Sequence, residues 1–256
     1  MEFTEDINWW IKYDPKDSDY VDYPTYITSA MFQVIGVYET LCRARASLKF
    51  IECNDYGELI SCSDENSLAF IRKMFIENSI IYYNICVDLS WQVLWLYLQK
   101  DDLNIIYNEK KLNKILKTCN YNDLIRRLKL DGLEKIIEKL EEFKKYLDES
   151  GVRTKYNYIK HRGVYHYNGV GENYGNMIMG YNGMYPKIFS RKEIDIEKWK
   201  KMLLEFDTEF VEYFNYILQE IVPSKYLEKI NMADAEYMNK WIKYCDELIR
   251  KQLIGN

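Results

Sequence analysis

Apolar residues recur at spacings of three and four along most of this chain, the pattern of helices that bury one face. Pro24 opens the first long helix, with Ile27, Met31, Val34, Val37, Tyr38, Leu41 and Leu48 along its inner stripe. After a loop around Gly57, Ser63 or Asp64 can cap a second helix from about 65 to 99. Its apolar positions include Phe70, Met74, Ile81, Ile85, Trp91 and Trp95, and its second half is apolar around much of its circumference. That predicts a place at the centre of a bundle. Shorter helices are predicted at Lys110 to Lys117 and Leu124 to Leu130. Leu133, Ile136, Ile137, Leu140, Phe143 and Leu147 mark an amphipathic helix that Gly151 can end. A helix from about Val152 to Tyr167 follows, and a glycine-rich stretch at 168–185 breaks it. Asn176 to Met179 and Lys187 to Phe189 can pair as a hairpin across Tyr181-Asn182-Gly183. Ser190 to Glu193 has the form of a capping box. The helix it announces carries Trp199, Leu203, Phe206, Phe210, Tyr213 and Ile217 and stops at Pro223. A last helix from Ser224 carries Leu227, Ile230, Tyr237, Trp241, Tyr244 and Leu248.

The fold class that follows is all-α, an irregular up-and-down helical bundle with a small glycine-rich loop or hairpin insertion. Residues 1–23 read as an N-terminal arm tied down by Trp9 and Trp10, and 24–256 as one helical domain. A chain of 256 residues that is 48% hydrophobic and 29% charged is long and apolar enough to bury a large core. The most apolar stretch, Ile80 to Leu98, contains Asn84, Asp88 and Gln92 at helical spacing. A charge in mid-span is costly in lipid, so this reads as a buried core helix and no membrane partner is expected. The N-terminus lacks the basic-then-apolar pattern of a secretory signal. The six cysteines are scattered, with no Cys-x-x-Cys pair. They read as free thiols of a reducing compartment, and a cytoplasmic location is expected.

Charge singles out one segment. Residues 151–192 hold both histidines, seven of the eleven glycines, seven Lys or Arg and one acid, Glu172. The segment is therefore +6 in a chain of −5, which leaves −11 elsewhere. A basic, histidine-bearing island in an acidic protein suits an anionic ligand. Neither histidine has an acid three residues before it, as helical metal sites commonly do. No metal and no cofactor is expected. No Walker loop, no Gly-x-Ser-x-Gly elbow and no kinase signature is present, and Gly169-Val-Gly171 follows no predicted strand.

Within the island, Asn157 and His161 are four apart on one helical face, with Lys160 and Arg162 flanking the histidine. Tyr156, Tyr158, Tyr165 and Tyr167 interleave with the basic residues, a composition able to stack bases and neutralise phosphates. A structural reading stands beside this one, with Tyr158, Ile159 and Tyr165 as core and the cations as a solvated face. His166 reads as a surface or capping residue. On the long helix, Asn84 and Asp88 are polar positions in an apolar run. Either can contact the motif helix and orient His161 or a basic partner.

Asn157-x-x-x-His161-Arg162-Gly163, late in an all-α chain, resembles the HEPN superfamily (higher eukaryotes and prokaryotes nucleotide-binding). The hallmark there is an Arg-x4–6-His motif, often with a polar residue just after the arginine. The resemblance spans about 65–167 by helix order, and its specific part is short. His161 matches the family histidine and Asn157 the polar position. The slot before Asn157 is Tyr156. Lys155 has the right spacing but lacks the planar fork that lets arginine clamp a phosphate. Arg153 lies too far from His161, and Arg162 to His166 is too short.

The resemblance implies a homodimeric, metal-independent RNA-cleaving or RNA-binding protein of a bacterial or phage conflict (toxin or defence) system. It equally accommodates a non-catalytic scaffold that binds nucleotide or protein. It implies His161 as acid and base, Lys155, Arg153 or Arg162 as the cation, and Asn157 positioning it. Lys160, Tyr156, Tyr158, Tyr165 and His166 would line the substrate path. RNA carries its own nucleophile, so a histidine and a cation suffice for its cleavage.

Overall fold

The structure is a computed structural model, and it describes residues 2–3, 5–57, 64–100, 105–163, 165–167, 192–227 and 243. It is an all-α helical bundle. A 3-10 turn over Asn8–Tyr13 and a short helix α1 (Asp19–Asp22) precede the long helices α2 (Thr25–Phe50) and α3 (Glu65–Tyr97). Then follow α4 (Glu109–Lys117), α5 (Tyr121–Leu130), α6 (Glu134–Glu149), α7 (Val152–Arg162) and α8 (Ile196–Ile221). Among the described residues the only extended pairing is two strands of two residues each. These are β1 (His166–Tyr167) and β2 (Glu193–Ile194), and they run parallel.

Short polar side chains set the helix starts. Asp64 accepts from the amides of Asn66 (2.9 Å) and Ser67 (3.0 Å) at α3. Asn108 and Asn120 do the same for α4 and α5, each at 3.0 Å. Satisfying these otherwise orphaned amides is worth about 1 kcal/mol per cap. The expected capping box at Ser190 to Glu193 is not what starts α8. Glu193 lies in β2, and Asp195 accepts from the amide of Lys198 at 3.0 Å instead.

Two compact units arise, each built from three separated stretches of chain. The first comprises 1–5, 39–87 and 141–212. Its core holds Leu41, Leu48, Ile76, Ile80, Leu147, Leu203 and Phe206, all fully buried. Phe206 meets Tyr83 edge-on at 5.4 Å and Phe143 at 6.0 Å. A charged group is held within this unit. Asp207, 1% exposed, accepts from Arg45 Nε (2.9 Å) and Nη2 (2.6 Å) and from the Tyr83 hydroxyl (2.8 Å). Full pairing is the condition for keeping such a carboxylate in an apolar core.

The second unit comprises 6–38, 88–140 and 213–256. Trp10 is fully buried there, with its indole donating to Asn215 Oδ1 (2.8 Å) and its ring edge-on to Phe214 at 4.9 Å. Ile7 and Tyr13 are also buried, so this part of the expected arm is core. Trp95 donates to the Ile115 carbonyl at 3.0 Å. Among the described residues no helix is long and apolar enough to cross a membrane.

Two sequence expectations change. The inner line of α3 runs through Ile76, Ile80, Tyr83, Val87, Trp91 and Leu94, while Phe70 and Met74 are 53% and 36% exposed. The helix expected to reach Tyr167 ends at Arg162. Gly163 adopts φ 109°, ψ −165°, a conformation open to glycine alone, and the chain turns into β1. Of the last expected helix, the described residues are Ser224–Leu227, a 3-10 turn, and Lys243, which is helical, and the rest of that expectation lies outside the described residues. The expected hairpin across Tyr181-Asn182-Gly183 lies outside the described residues.

Candidate functional site

The site is built on α7. Gly151 takes a left-handed conformation (φ 71°) after α6, which reverses the chain and starts α7. Thr154, Asn157, Tyr158, His161 and Arg162 then follow at i, i+3, i+4, i+7 and i+8 and so fall on one face. Together with Lys192 they line a cavity of about 430 Å³. Asn157, His161 and Arg162 are exposed at its surface. The last turn of α7 is Lys160, His161 and Arg162, a cationic end that complements the helix dipole.

Lys192 arrives by tertiary structure. The His166 amide donates to the Lys192 carbonyl at 2.9 Å, and the parallel β1–β2 pair continues from there. This brings the Lys192 ammonium to 4.9 Å from the centre of the Tyr158 ring. Among the described residues, the cavity wall thus holds an amide, an imidazole, two hydroxyl-bearing side chains and two cations, with no carboxylate. Such a lining favours an anion. Among the described residues no group of three or more His, Cys, Asp and Glu is placed to hold a metal.

The other expected site residues are not among the described residues that line this cavity. Lys155, at the spacing of the motif arginine, is not part of the cavity wall. Its ammonium sits 5.1 Å from the Trp199 ring centre, and burial, then the charge of Lys198, lowers its pKa. Arg153 and Lys160 flank Tyr156, at 6.0 and 5.8 Å from its ring centre. Tyr165 is buried, its ring 4.4 Å from Tyr158 and 4.7 Å from Trp199, and burial pushes its pKa up to about 12. His166 is half-buried in β1. Asn84 is fully buried and donates to the Ile80 carbonyl of its own helix (2.8 Å). Asp88 belongs to the second unit, where its charge helps burial raise Cys119 to about 12.

No family model, no curated protein and no solved structure matches the chain.

Lys73 and Glu77 of α3 reach the turn after α7. The Tyr165 amide donates to Glu77 Oε1 (2.8 Å), and Lys73 Nζ donates to the Tyr165 carbonyl (3.1 Å). Both side chains are 6% exposed. Burial raises the Glu77 pKa, opposed by the Tyr165 amide and the Lys73 charge. Sequence reading passed over both, because a Lys and a Glu four apart on a helix ordinarily mark a solvated face.

Proposed function

We propose that this is a HEPN-like RNA-binding protein whose α7 cavity holds a phosphodiester and cleaves it without a metal. The observation that carries the reading is the gathering of Asn157, His161, Arg162 and Lys192 around one cavity, with no carboxylate among the described residues that line it. Arg162 and Lys192 neutralise the phosphate and stabilise the charge that builds on it during reaction. An imidazole takes the proton of the RNA 2′-hydroxyl as its oxygen attacks the adjacent phosphorus. The bond from phosphorus to the 5′-oxygen breaks, and that oxygen is protonated by the imidazolium of a second copy. A 2′,3′-cyclic phosphate and a 5′-hydroxyl result. Asn157, one helical turn before His161 on the same face, positions the Arg162 cation. A bacterial or phage conflict system is the biological setting of this reading.

The position of Lys155 favours a second reading, in which the cavity binds RNA without cutting it. Its ammonium is engaged with Trp199, so the motif's usual cation slot does not serve the cavity. Incubating the protein with single-stranded RNA in excess EDTA separates the two. Cleavage products ending in cyclic phosphate, abolished by His161→Ala in a folded variant, support the enzyme. Binding without products supports the second reading, and absence of binding rejects both.

A further inference from the structure

The geometry points to Lys73 and Glu77 as positioning residues that set the two halves of the α7 cavity against each other, an inference that rests on the RNA-binding reading above. Among the described residues, one wall of the cavity is α7 and the other is Lys192, thirty positions past Arg162. The short chain between α7 and β1 joins them, and Tyr165 is its anchor. The backbone of Tyr165 is held at both polar atoms from α3, with the amide on Glu77 and the carbonyl on Lys73. The next amide, that of His166, bonds the Lys192 carbonyl directly. The Tyr165 ring in turn packs on Tyr158, a cavity wall residue, and on Trp199. Four links therefore connect two buried α3 side chains to both walls.

The pair is costly to keep. A carboxylate and an ammonium in an apolar setting stay only when hydrogen-bonded, and here each is matched to one backbone atom of the same residue. A purely apolar α3 face would bury more surface, yet leave the Tyr165 amide and carbonyl without these partners. The arrangement suits a part whose task is to fix the height at which β1 leaves α7. A small shift there moves Lys192 relative to His161 and Arg162, and misplacement of about 1 Å in a charge clamp is enough to cost an order of magnitude or more.

Three variants test this by the affinity for a fluorescent single-stranded RNA and by backbone NMR shifts of residues 157–162 and 192. Glu77→Leu removes the acceptor, Lys73→Met with Glu77→Leu removes both partners, and Glu77→Gln keeps an oxygen for the Tyr165 amide. Phe206→Leu, which loosens the same unit from its core, is the stability control. The expected result is a loss of about tenfold in affinity for the two Leu variants, with displaced shifts at 157–162 and 192. Glu77→Gln retains near-wild-type affinity, and Phe206→Leu leaves both readouts in place at temperatures where it is folded. If the Leu variants bind as wild type does while Arg162→Ala with Lys192→Ala abolishes binding, the positioning role is overturned and the site stands. If wild type itself fails to bind RNA, the functional reading falls and takes this one with it.

Discussion

Salt dependence of RNA binding offers a quantitative check on which cations are used. Among the described residues the cavity presents two cations, Arg162 and Lys192, while Arg153 and Lys160 lie against Tyr156. On single-stranded RNA each neutralised phosphate contributes about −0.7 to the slope of log K against log salt, so two contacts give about −1.4. Raising salt from about 50 to about 200 mM should then weaken binding about sevenfold. Arg162→Ala or Lys192→Ala should each halve the slope, to about −0.7 and a loss of about 2.6-fold over the same range. Fluorescence anisotropy with a short labelled RNA at five salt concentrations measures it. Had RNA tracked the Tyr156 face as well, four contacts would give about −2.8 and a loss near fiftyfold. A slope that steep, or one unchanged in the double variant, refutes the assignment of the phosphate to this cavity.

Other expectations concern the scaffold. Asp207→Ala strands the Arg45 guanidinium and the Tyr83 hydroxyl, and should cost about 3–5 kcal/mol in urea unfolding. Replacing the pair together, Arg45→Met with Asp207→Leu, should recover much of that loss, because no charge is left unpaired. Gly163→Ala has space for the methyl group but not the backbone conformation, and should destabilise by about 1–3 kcal/mol through strain alone. Burial raises the phenols of Tyr13, Tyr146 and Tyr165 from 10.0 to about 12. The folded state thus holds protons that the unfolded chain releases, so this contribution is complete below pH 10 and is lost as pH climbs towards 12. Tyrosinate absorbance should therefore appear together with loss of helical circular dichroism; ionisation of these phenols in a fully helical protein would contradict it.

The helices were largely legible because burial imposes a period of 3.6, and that period survives in the order of residues. What failed was information that periodicity does not carry. Phe70 and Met74 are as apolar as Ile76 and Ile80, so composition could not tell which line of α3 faces inward. Gly163 looked like one small residue in a basic helix, whereas its positive φ ends that helix. Strands of two residues are too short to show alternation, and the parallel pairing of His166 with Glu193 has no local signature. At the site, Thr154, Asn157, Tyr158, His161 and Arg162 share a face by spacing alone, and the expectation for Asn157, His161 and Arg162 rested on that arithmetic. Lys192, Lys73 and Glu77 reach the same region only through tertiary structure, and Lys155 was drawn away by Trp199.

Occupation of the cavity beside His161 by RNA can be observed directly at the imidazole. The chain has two histidines, so their imidazole signals can be resolved by NMR and assigned with a His166→Gln variant. Titrating a short single-stranded RNA in EDTA should move the His161 signals in a saturable way and leave a much smaller change at His166, with the effect gone in Arg162→Ala/Lys192→Ala. RNA binding detected by anisotropy without any movement of the His161 signals would contradict the account.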